Sequence, residues 1–571
     1  MPNRHSDRYR DHWPRGVPHD ITIPATSVYT NLAISALRYP DKPALVFYDT
    51  PTTFAELQRE ADALAGFLQR DCGVAKGDRV LIFMQNCPQW VASYYAVLRA
   101  DAVVVPVNAM SKSMELEHYV KDSGATAALV AQELLPYVQP WLGKYALRNI
   151  VVATYSESLR VSTDLPVPEF VRAPAIALDG AGLHRWRDAL AAARAPGVHT
   201  AGPGDWCVFP YTSGTTGHPK GCIHIHRSVM HTMVVGGIWS SVHSEMVTLA
   251  TLPYFHVTGM QSSMNGPIYF GCTVVILPRW DRTMAARLIE RHRITTWTAI
   301  STMVVDFLAN PDLNNYDLSS LNRITGGGAA MPAAVAKALF DRFGLTYLEG
   351  YGLSETIAPS HINPPQNAKR QCLGIPICNT ESFIAETGGT RELAVNEVGE
   401  ILIRGPQVFQ GYWKQPEATR DAFVEVDGKQ FFRSGDLGYV DLDGYFFIVD
   451  RVKRMINASG FKVWPAEVEN MMYAHPAIQE ACVIGVSDAY RGETVKAFVV
   501  LKAASRGNVS EADIIDWCKA NMAAYKAPQF VEFRESLPKS AAGKLMWRTL
   551  QESECQKTEV RSQKTEGLRS D

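Results

Sequence analysis

No two of the ten cysteines (Cys72, Cys87, Cys207, Cys222, Cys272, Cys372, Cys378, Cys482, Cys518 and Cys555) are separated by only two residues. Neither a zinc site built on paired cysteines nor a disulfide frame is therefore expected. The sequence also lacks a run of about 18 uncharged apolar residues, the least a membrane-spanning helix needs. Its opening, MPNRHSDRYRDHWPRG, carries charge but no apolar leader core, and its end, LRSD, is no peroxisomal address. A cytoplasmic chain without a transmembrane segment is the expectation, with peripheral membrane contact left open. Charge of one sign is missing as well: 56 Lys and Arg stand against 58 Asp and Glu, a formal net charge of -2. No global field then draws nucleic acid or an acidic membrane, and small-molecule chemistry is favoured.

What is present is length and apolar content. A chain of 571 residues, 46% of them hydrophobic, exceeds what one core normally supports, so two or more domains are expected. Residues 79 to 106, RVLIFMQNCPQWVASYYAVLRADAVVVP, read as a strand, a Pro-marked turn, an amphipathic helix and a second strand, the pattern of a βαβ unit. Further strands are expected at 126–131, 149–154, 205–211, 273–278 and 294–300, alternating with helical stretches such as TMAARLIERH, and no repeat of fixed period appears. The fold class is α/β. After Gly444 a strand runs into a basic segment, and a fresh set of helices and strands follows, enough for a small α+β domain. Ser510 there is a plausible helix cap with Asp513 three residues on. The final stretch, with neither aromatic nor periodic apolar residues, is expected to be disordered.

The stretch YTSGTTGHPKG, Tyr211 to Gly221, follows one strand and precedes another, CIHIH. Its composition favours a surface linker. Inward-pointing amides of a Gly-rich turn, helped by Ser and Thr hydroxyls, also make an anion nest that suits a polyphosphate. It is not a Walker A loop, because Lys220 is followed by Gly221 and Cys222 rather than Ser or Thr. The order of its residues resembles the signature loop of the adenylate-forming, AMP-binding enzymes, which include acyl-CoA synthetases, peptide-synthetase adenylation domains and beetle luciferases. The resemblance implies that Thr212, Ser213, Gly214, Thr215, Thr216 and Gly217 wrap the β- and γ-phosphates of ATP, and that Lys220 adds charge near the leaving pyrophosphate.

Four more segments fit the same family in order. GYGLSET resembles its adenine and metal segment: Gly350, Tyr351 and Gly352 would border adenine with Tyr351 stacked on it, Thr356 would reach phosphate, and Glu355 would help hold Mg2+. One carboxylate suffices for a hard cation that also bridges triphosphate oxygens. RSGDLG resembles the ribose segment, with Asp436 accepting from both ribose hydroxyls. DGYFFIVDRVKRMINASGFKVWPAEVE resembles the hinge segment: Arg451 would bind nucleotide, Lys453 would be the pivot of the small domain, and Ser459, Gly460 and Phe461 would border the channel of the thiol acceptor, coenzyme A. LPKSAAGKLMWR resembles the loop of the catalytic lysine, Lys544, which would neutralise charge on the α-phosphate and the attacking carboxylate. Without the resemblance, Arg451, Lys453 and Arg454 would read as a solvated basic linker.

The likeness runs from about Thr26 to Arg548 and is greatest to bacterial fatty acyl-CoA ligases, through DRVKRMINASGFKVWPAEVE and GYWKQPEAT. It implies a large N-terminal domain (1–450) of two α/β subdomains plus a barrel-like part, a hinge at 451–453, a small mobile C-terminal domain (454–550) and a tail from 551. His256, in LPYFHVTGM, stands where relatives that activate amino acids carry an Asp, so an α-amino acid is disfavoured, because a buried ammonium without a partner is costly. It joins Lys544, Thr356 and Glu355 as an expected active-site residue. VTGMQSSMNGP, STMVVDFL and TGGGAAMP, small or apolar for the most part, are expected to line the acyl site. Chain length stays open, since Met260 replaces an aromatic found in some long-chain relatives. The expected reaction is ATP-dependent joining of a medium- or long-chain fatty acid to coenzyme A, with Mg2+. An aryl acid and a separate carrier protein as acceptor remain alternatives, and a homodimer is left open.

Overall fold

The computed structural model describes residues 5–212, 219–328, 331–451, 454, 456–458, 461–488, 492–523, 525–540 and 545–554. Two large sheets, each flanked by helices, carry most of the chain. The first has seven strands in the order His224–Ile225, Trp206–Val208, Val103–Pro106, Arg79–Phe83, Ala127–Ala131, Asn149–Ala153 and Leu183–Arg185. All neighbours are parallel except His224–Ile225 against Trp206–Val208. VVVP and AALVA are buried throughout, as strands covered on both faces must be. The βαβ unit expected over 79–106 is present: Pro88 stands at the start of the helix Pro88–Arg99, and Cys87 Sγ caps it by accepting from the Trp90 amide at 3.3 Å.

The second sheet has nine strands, in the order Ile375–Pro376, His361–Ile362, Tyr347–Tyr351, Arg323–Gly327, Thr296–Thr298, Val247–Ala250, Thr273–Ile276, Pro43–Phe47 and Thr50–Thr53. Its last two strands come from the start of the chain, so the two sheets are interlaced in sequence. The run after Thr325 serves this sheet directly. A Cβ on Gly326 would lie 1.8 Å from the Ala299 carbonyl oxygen, and one on Gly327 would lie 2.2 Å from that of Gly350. Only glycine permits these strands to lie so close.

The barrel-like part is a five-stranded antiparallel sheet built around the long strand Lys429–Val440, which pairs with Gly399–Arg404, Phe423–Val426 and Phe446–Arg451, with Glu381–Ala385 beyond Gly399–Arg404. Side chains alternate between two cores. Phe383, Leu402 and Phe431 pack together on one face, whereas Ile384, Ile401 and Phe432 pack with Tyr351 on the other.

The small C-terminal part has the strands Ile456–Ala458, Phe461–Val463, Ile478–Asp488, Gly492–Leu501 and Phe530–Phe533, with the helices Pro465–Met472 and Glu511–Asn521. Ser510 caps the second helix as expected, its Oγ accepting from the Asp513 amide at 3.2 Å while Asp513 Oδ2 accepts from the Ser510 amide at 2.8 Å. Residues 547–554 are helical, and Glu554 Oε2 accepts from Lys496 Nζ at 2.7 Å. Residues from 555 lie outside the described residues.

Arg454 is no solvated linker residue. It forms a forked pair with Glu469, and its Nη2 donates to the Val483 carbonyl at 3.0 Å, while Glu469 accepts from the Val483 amide at 2.7 Å. Burial opposes the guanidinium charge and the Glu469 carboxylate outweighs it, so the Arg454 pKa is raised. Removing one partner of such a pair strands the other charge. Glu469→Ala is expected to cost the small domain about 3 to 5 kcal/mol, and Arg454→Met with Glu469→Leu to recover much of it, read as amide exchange across Ile478–Asp488.

Candidate functional site

The glycine-rich stretch spans a hairpin. Tyr211–Thr212 pairs antiparallel with Lys220–Gly221, with Thr212 opposite Lys220. Ser213, Gly214, Thr215, Thr216 and Gly217 lie outside the described residues, so the structure describes the stem of this hairpin. A segment almost two hundred residues later lies along it: the Trp413 amide donates to Gly221 at 2.8 Å, Tyr412 bridges Cys222, and the Ile223 amide donates to Gly411 at 3.0 Å.

That pairing places a phenol between two charges. Lys220 Nζ lies 5.2 Å from the centroid of the Tyr412 ring, and the Tyr412 hydroxyl donates to Glu355 Oε1 at 2.8 Å. The Glu355 carbonyl in turn accepts from the Phe409 amide at 2.8 Å, which fixes the carboxylate's segment to the same loop. Burial first, and then the Glu355 charge, push the Tyr412 phenol pKa up, so it stays a donor. A cation, an aromatic spacer and one carboxylate are chemically suited to a triphosphate with its magnesium: Lys220 could meet phosphate oxygen, and Glu355 could supply the one hard oxygen donor that Mg2+ needs beside phosphate ligands. No group of three His, Cys, Asp or Glu that could hold a metal occurs among the described residues.

The segment bearing Glu355 continues the strand Tyr347–Tyr351 of the second sheet. Gly350 pairs with Gly327 on one side and Ile362 on the other, and Gly352 leaves no room for a side chain, since a Cβ would lie 2.8 Å from Ala358 Cα. Thr356, expected to reach phosphate, is fully buried. Its Oγ1 accepts from the Leu353 amide at 2.9 Å and closes the turn Ser354–Thr356. His224 Nε2 donates to the Ser354 carbonyl at 2.7 Å and ties this turn to the first sheet.

Tyr351 and Asp436 also meet. The Tyr351 hydroxyl donates to Asp436 Oδ2 at 2.6 Å, joining the second sheet to the antiparallel one, and Asp436 is 1% exposed. Arg451, the last residue of its strand, stands in register with Asp436. Three expected nucleotide residues from separate motifs are thus brought to one strand-end region, at the carboxyl side of the second sheet where α/β sheets bind ligands. Lys453, Ser459, Gly460 and Lys544 lie outside the described residues; Phe461 opens the strand Phe461–Val463.

His256 caps the helix Val257–Met260, its Nδ1 accepting from the Thr258 amide at 3.3 Å. The segment after it, expected to offer an apolar lining, carries a buried polar chain. Gln261 Nε2 donates to Thr232 Oγ1 at 2.7 Å, Asn265 Nδ2 to Gln261 Oε1 at 2.8 Å, and the Tyr95 hydroxyl to Asn265 Oδ1 at 3.0 Å. These amides hold the helices together and satisfy one another. Sequence reading passed over Tyr412, seen only inside the family-like GYWKQPEAT, and His224, in a short strand. Their partners are far away in the chain, and no local pattern marks them.

Comparison with known proteins agrees with this geometry. The family described as AMP-binding enzyme matches residues 32–413, and that described as AMP-binding enzyme C-terminal domain matches 467–544. The chain is 35% identical to a long-chain-fatty-acid–CoA ligase of Bacillus subtilis, over 96% of this chain and 98% of the relative. It is 33% identical to a feruloyl-CoA synthase of an Amycolatopsis species, over 89% and 95%. Among solved structures, an anthranilate CoA ligase in complex with anthranoyl-AMP superposes with a TM-score of 0.81 at 27% identity, covering 97% of this chain and 99% of that one.

Four histidines of the large part are buried, and two of them, His224 and His361, touch the Ser354 turn and Tyr351. Burial lowers the pKa of His224, His226 and His231 to about 4 and that of His361 to about 3. An unfolded histidine takes its proton near 6.5. Each therefore adds stability that is present above pH 6.5 and lost as pH falls toward about 4, or toward about 3 for His361. Glu349 works the other way: burial raises its pKa to about 8 and outweighs the lowering by hydrogen bonds from the Met331 and Gln371 amides. The informative measurement is a difference: His224→Gln, whose amide can still donate to Ser354, should reduce proton uptake on unfolding by about one between pH 6.5 and 4, seen as a flatter pH dependence of the denaturation midpoint.

Proposed function

The chain belongs to the AMP-binding enzyme family, and from that premise we propose that it is an ATP-dependent acid–thiol ligase that makes acyl-CoA. The observation that carries the reading is the row Lys220, Tyr412, Glu355 beside the hairpin stem. A carboxylate oxygen of the acid attacks the α-phosphorus of ATP in line, the bond to the β-phosphate bridge breaks, and pyrophosphate leaves. The thiol sulfur of coenzyme A then attacks the acyl carbon and its proton is lost, the bond to AMP oxygen breaks, and acyl-CoA and AMP are released. Glu355 would hold Mg2+, which would supply charge neutralisation on the phosphates.

In this reading Thr212 through Gly217 and Lys220 hold the β- and γ-phosphates, while Gly350, Tyr351, Gly352, Asp436 and Arg451 hold the nucleoside. Tyr351 and Asp436 are already bonded, so nucleotide binding has to share or exchange that contact. Thr356 reaches phosphate through its hydroxyl proton, while its oxygen goes on accepting from the Leu353 amide, and His256 borders the acid. Lys453 is the pivot on which the domain of residues 454–550 turns from presenting Lys544 for adenylation to presenting Ser459, Gly460 and Phe461 for thioester formation. One active site would then serve two transition states.

The acid is proposed to be a medium- or long-chain fatty acid, supported by the 35% identity to a long-chain ligase. An aryl acid is the second reading, supported by the similarity to a feruloyl-CoA synthase and an anthranilate CoA ligase. A separate carrier protein is the alternative acceptor. No described helix is long and apolar enough to cross a membrane. The cytoplasm is the proposed site of action because ATP and coenzyme A are supplied there, with a homodimer and peripheral contact with a lipid surface as further elements of the reading.

A screen of carboxylic acids by pyrophosphate release, with and without coenzyme A, tests the reaction class. Fatty acids of about ten or more carbons should give acyl-CoA, and turnover of no acid would sink the proposal. Lys544→Ala should lose pyrophosphate exchange by at least about a hundredfold, in the range seen when one transition-state electrostatic group is removed. It should still convert supplied acyl-adenylate to acyl-CoA; equal loss of both half-reactions would refute the division of labour.

A further inference from the structure

The hairpin stem that carries Thr212 and Lys220 rests on a helix from another part of the chain, Ser113–Ser123. His118 and Asp122 lie four residues apart and so on one face of it. His118 Nε2 donates to the Pro219 carbonyl at 2.8 Å, just before the returning strand. Asp122 Oδ2 accepts from the Tyr211 hydroxyl at 2.7 Å on the outgoing strand. Between them Tyr119 meets the Tyr211 ring edge-on, with centroids 5.0 Å apart. Burial first, and then the Asp122 charge, raise the Tyr211 pKa, so this phenol remains a donor.

The same helix end reaches the Tyr412 segment. The Asp122 carbonyl is one of those a helix leaves without an internal partner. It accepts from Trp413 Nε1 at 2.8 Å and from Lys414 Nζ at 2.7 Å. Arg79 takes the next two carbonyls, Nε to Ser123 at 2.8 Å and Nη2 to Gly124 at 3.3 Å, and lies 5.4 Å from the Trp413 ring centroid. One residue, Asp122, therefore touches the stem with its side chain and the Tyr412 segment with its backbone. These are the two pieces whose spacing sets how far Lys220 stands from Glu355.

We propose that Asp122 and His118 are positioning residues for the triphosphate: they hold Lys220 at its distance from Tyr412 and Glu355, and through it govern affinity for the β- and γ-phosphates. Neither residue is given a part in the chemistry. The inference rests on the ligase reading above for its ligand. A small displacement of a phosphate-binding cation is costly because its contacts depend on orientation as well as charge, and a tether removed at the stem is felt at Lys220, next to Tyr211–Thr212 in the ladder.

AMP, which lacks those two phosphates, provides the control. Calorimetric titration of the full chain with ATP plus Mg2+, and separately with AMP, distinguishes positioning from general damage. Tyr211→Phe, which removes one oxygen and keeps the ring, and Asp122→Ala are each expected to weaken ATP about five- to tenfold, the worth of one buried hydrogen bond. AMP should change less than about twofold, and the double variant should be no worse than either single one, because both remove the same bond. His118→Ala should add a further loss for ATP on top of Tyr211→Phe. Equal weakening of ATP and AMP, unchanged ATP binding, or additive losses for Tyr211 and Asp122 would each overturn the proposal. If Asp122→Ala does not fold, Tyr211→Phe alone decides. Failure of the ligase reading would appear elsewhere, as wild-type chain that forms no acyl-CoA from any acid while the ATP and AMP titrations stay interpretable.

Discussion

Tyr412 donates its phenol to Glu355 while Lys220 lies against its ring, and three distant segments must arrive together for this to happen. The hairpin stem brings Lys220, the strand Tyr347–Tyr351 and its turn bring Glu355, and the loop after Gln410 brings Tyr412. A carboxylate and an ammonium left to themselves would close into an ion pair and lose their use to a ligand. An aromatic spacer keeps them apart, engages the ammonium through its ring face and the carboxylate through its hydroxyl, and leaves both able to meet phosphate and metal. Much of the surrounding structure serves to keep that ring in place.

The support is built from buried polar groups that satisfy one another. His224 bonds Ser354, Tyr351 bonds Asp436, Tyr211 bonds Asp122, and the chain Thr232, Gln261, Asn265, Tyr95 crosses the helices behind His256. Such contacts add little net stability each, yet a partner lost leaves a desolvated group behind. They favour one arrangement over its neighbours more than they deepen the fold, which suits a site that must recognise a nucleotide with several phosphates. Burial also lowers the pKa of His224 and His361, the two histidines that touch this support.

Several elements were legible in the amino-acid order. The βαβ unit of 79–106 was visible because a strand buried on both faces reads as an unbroken apolar run, and the cap of the helix Glu511–Asn521 because Ser and Asp stand three apart. Other features were not legible, for physical reasons. Gly326 and Gly327, in a segment expected to line the acyl site, also let the strands of the second sheet lie close together. Gln261 and Asn265 sit in a segment that looked small and apolar and turned out to hold a polar network. The pairing of Arg454 was not visible either, since its partner Glu469 sits on the next helix. The helix that continues to 554 is stabilised by Lys496, fifty-eight residues back.

The sequence by itself determined which chemical groups are available and in what order: the Gly- and Thr-rich stretch with Lys220, GYGLSET with Glu355, RSGDLG with Asp436, the basic segment after Asp450 and Lys544. These are local properties, since a loop's backbone freedom and a side chain's charge travel with the residues themselves. Tertiary structure alone decided that Tyr351 faces Asp436, that Tyr412 stands between Lys220 and Glu355, and that Asp122 holds both the stem and the Tyr412 segment. Those pairings span 85, 57 and 89 residues for the three side-chain bonds. Contacts of that range are set by how two interlaced parallel sheets and an antiparallel one pack at their edges, and no local periodicity encodes it.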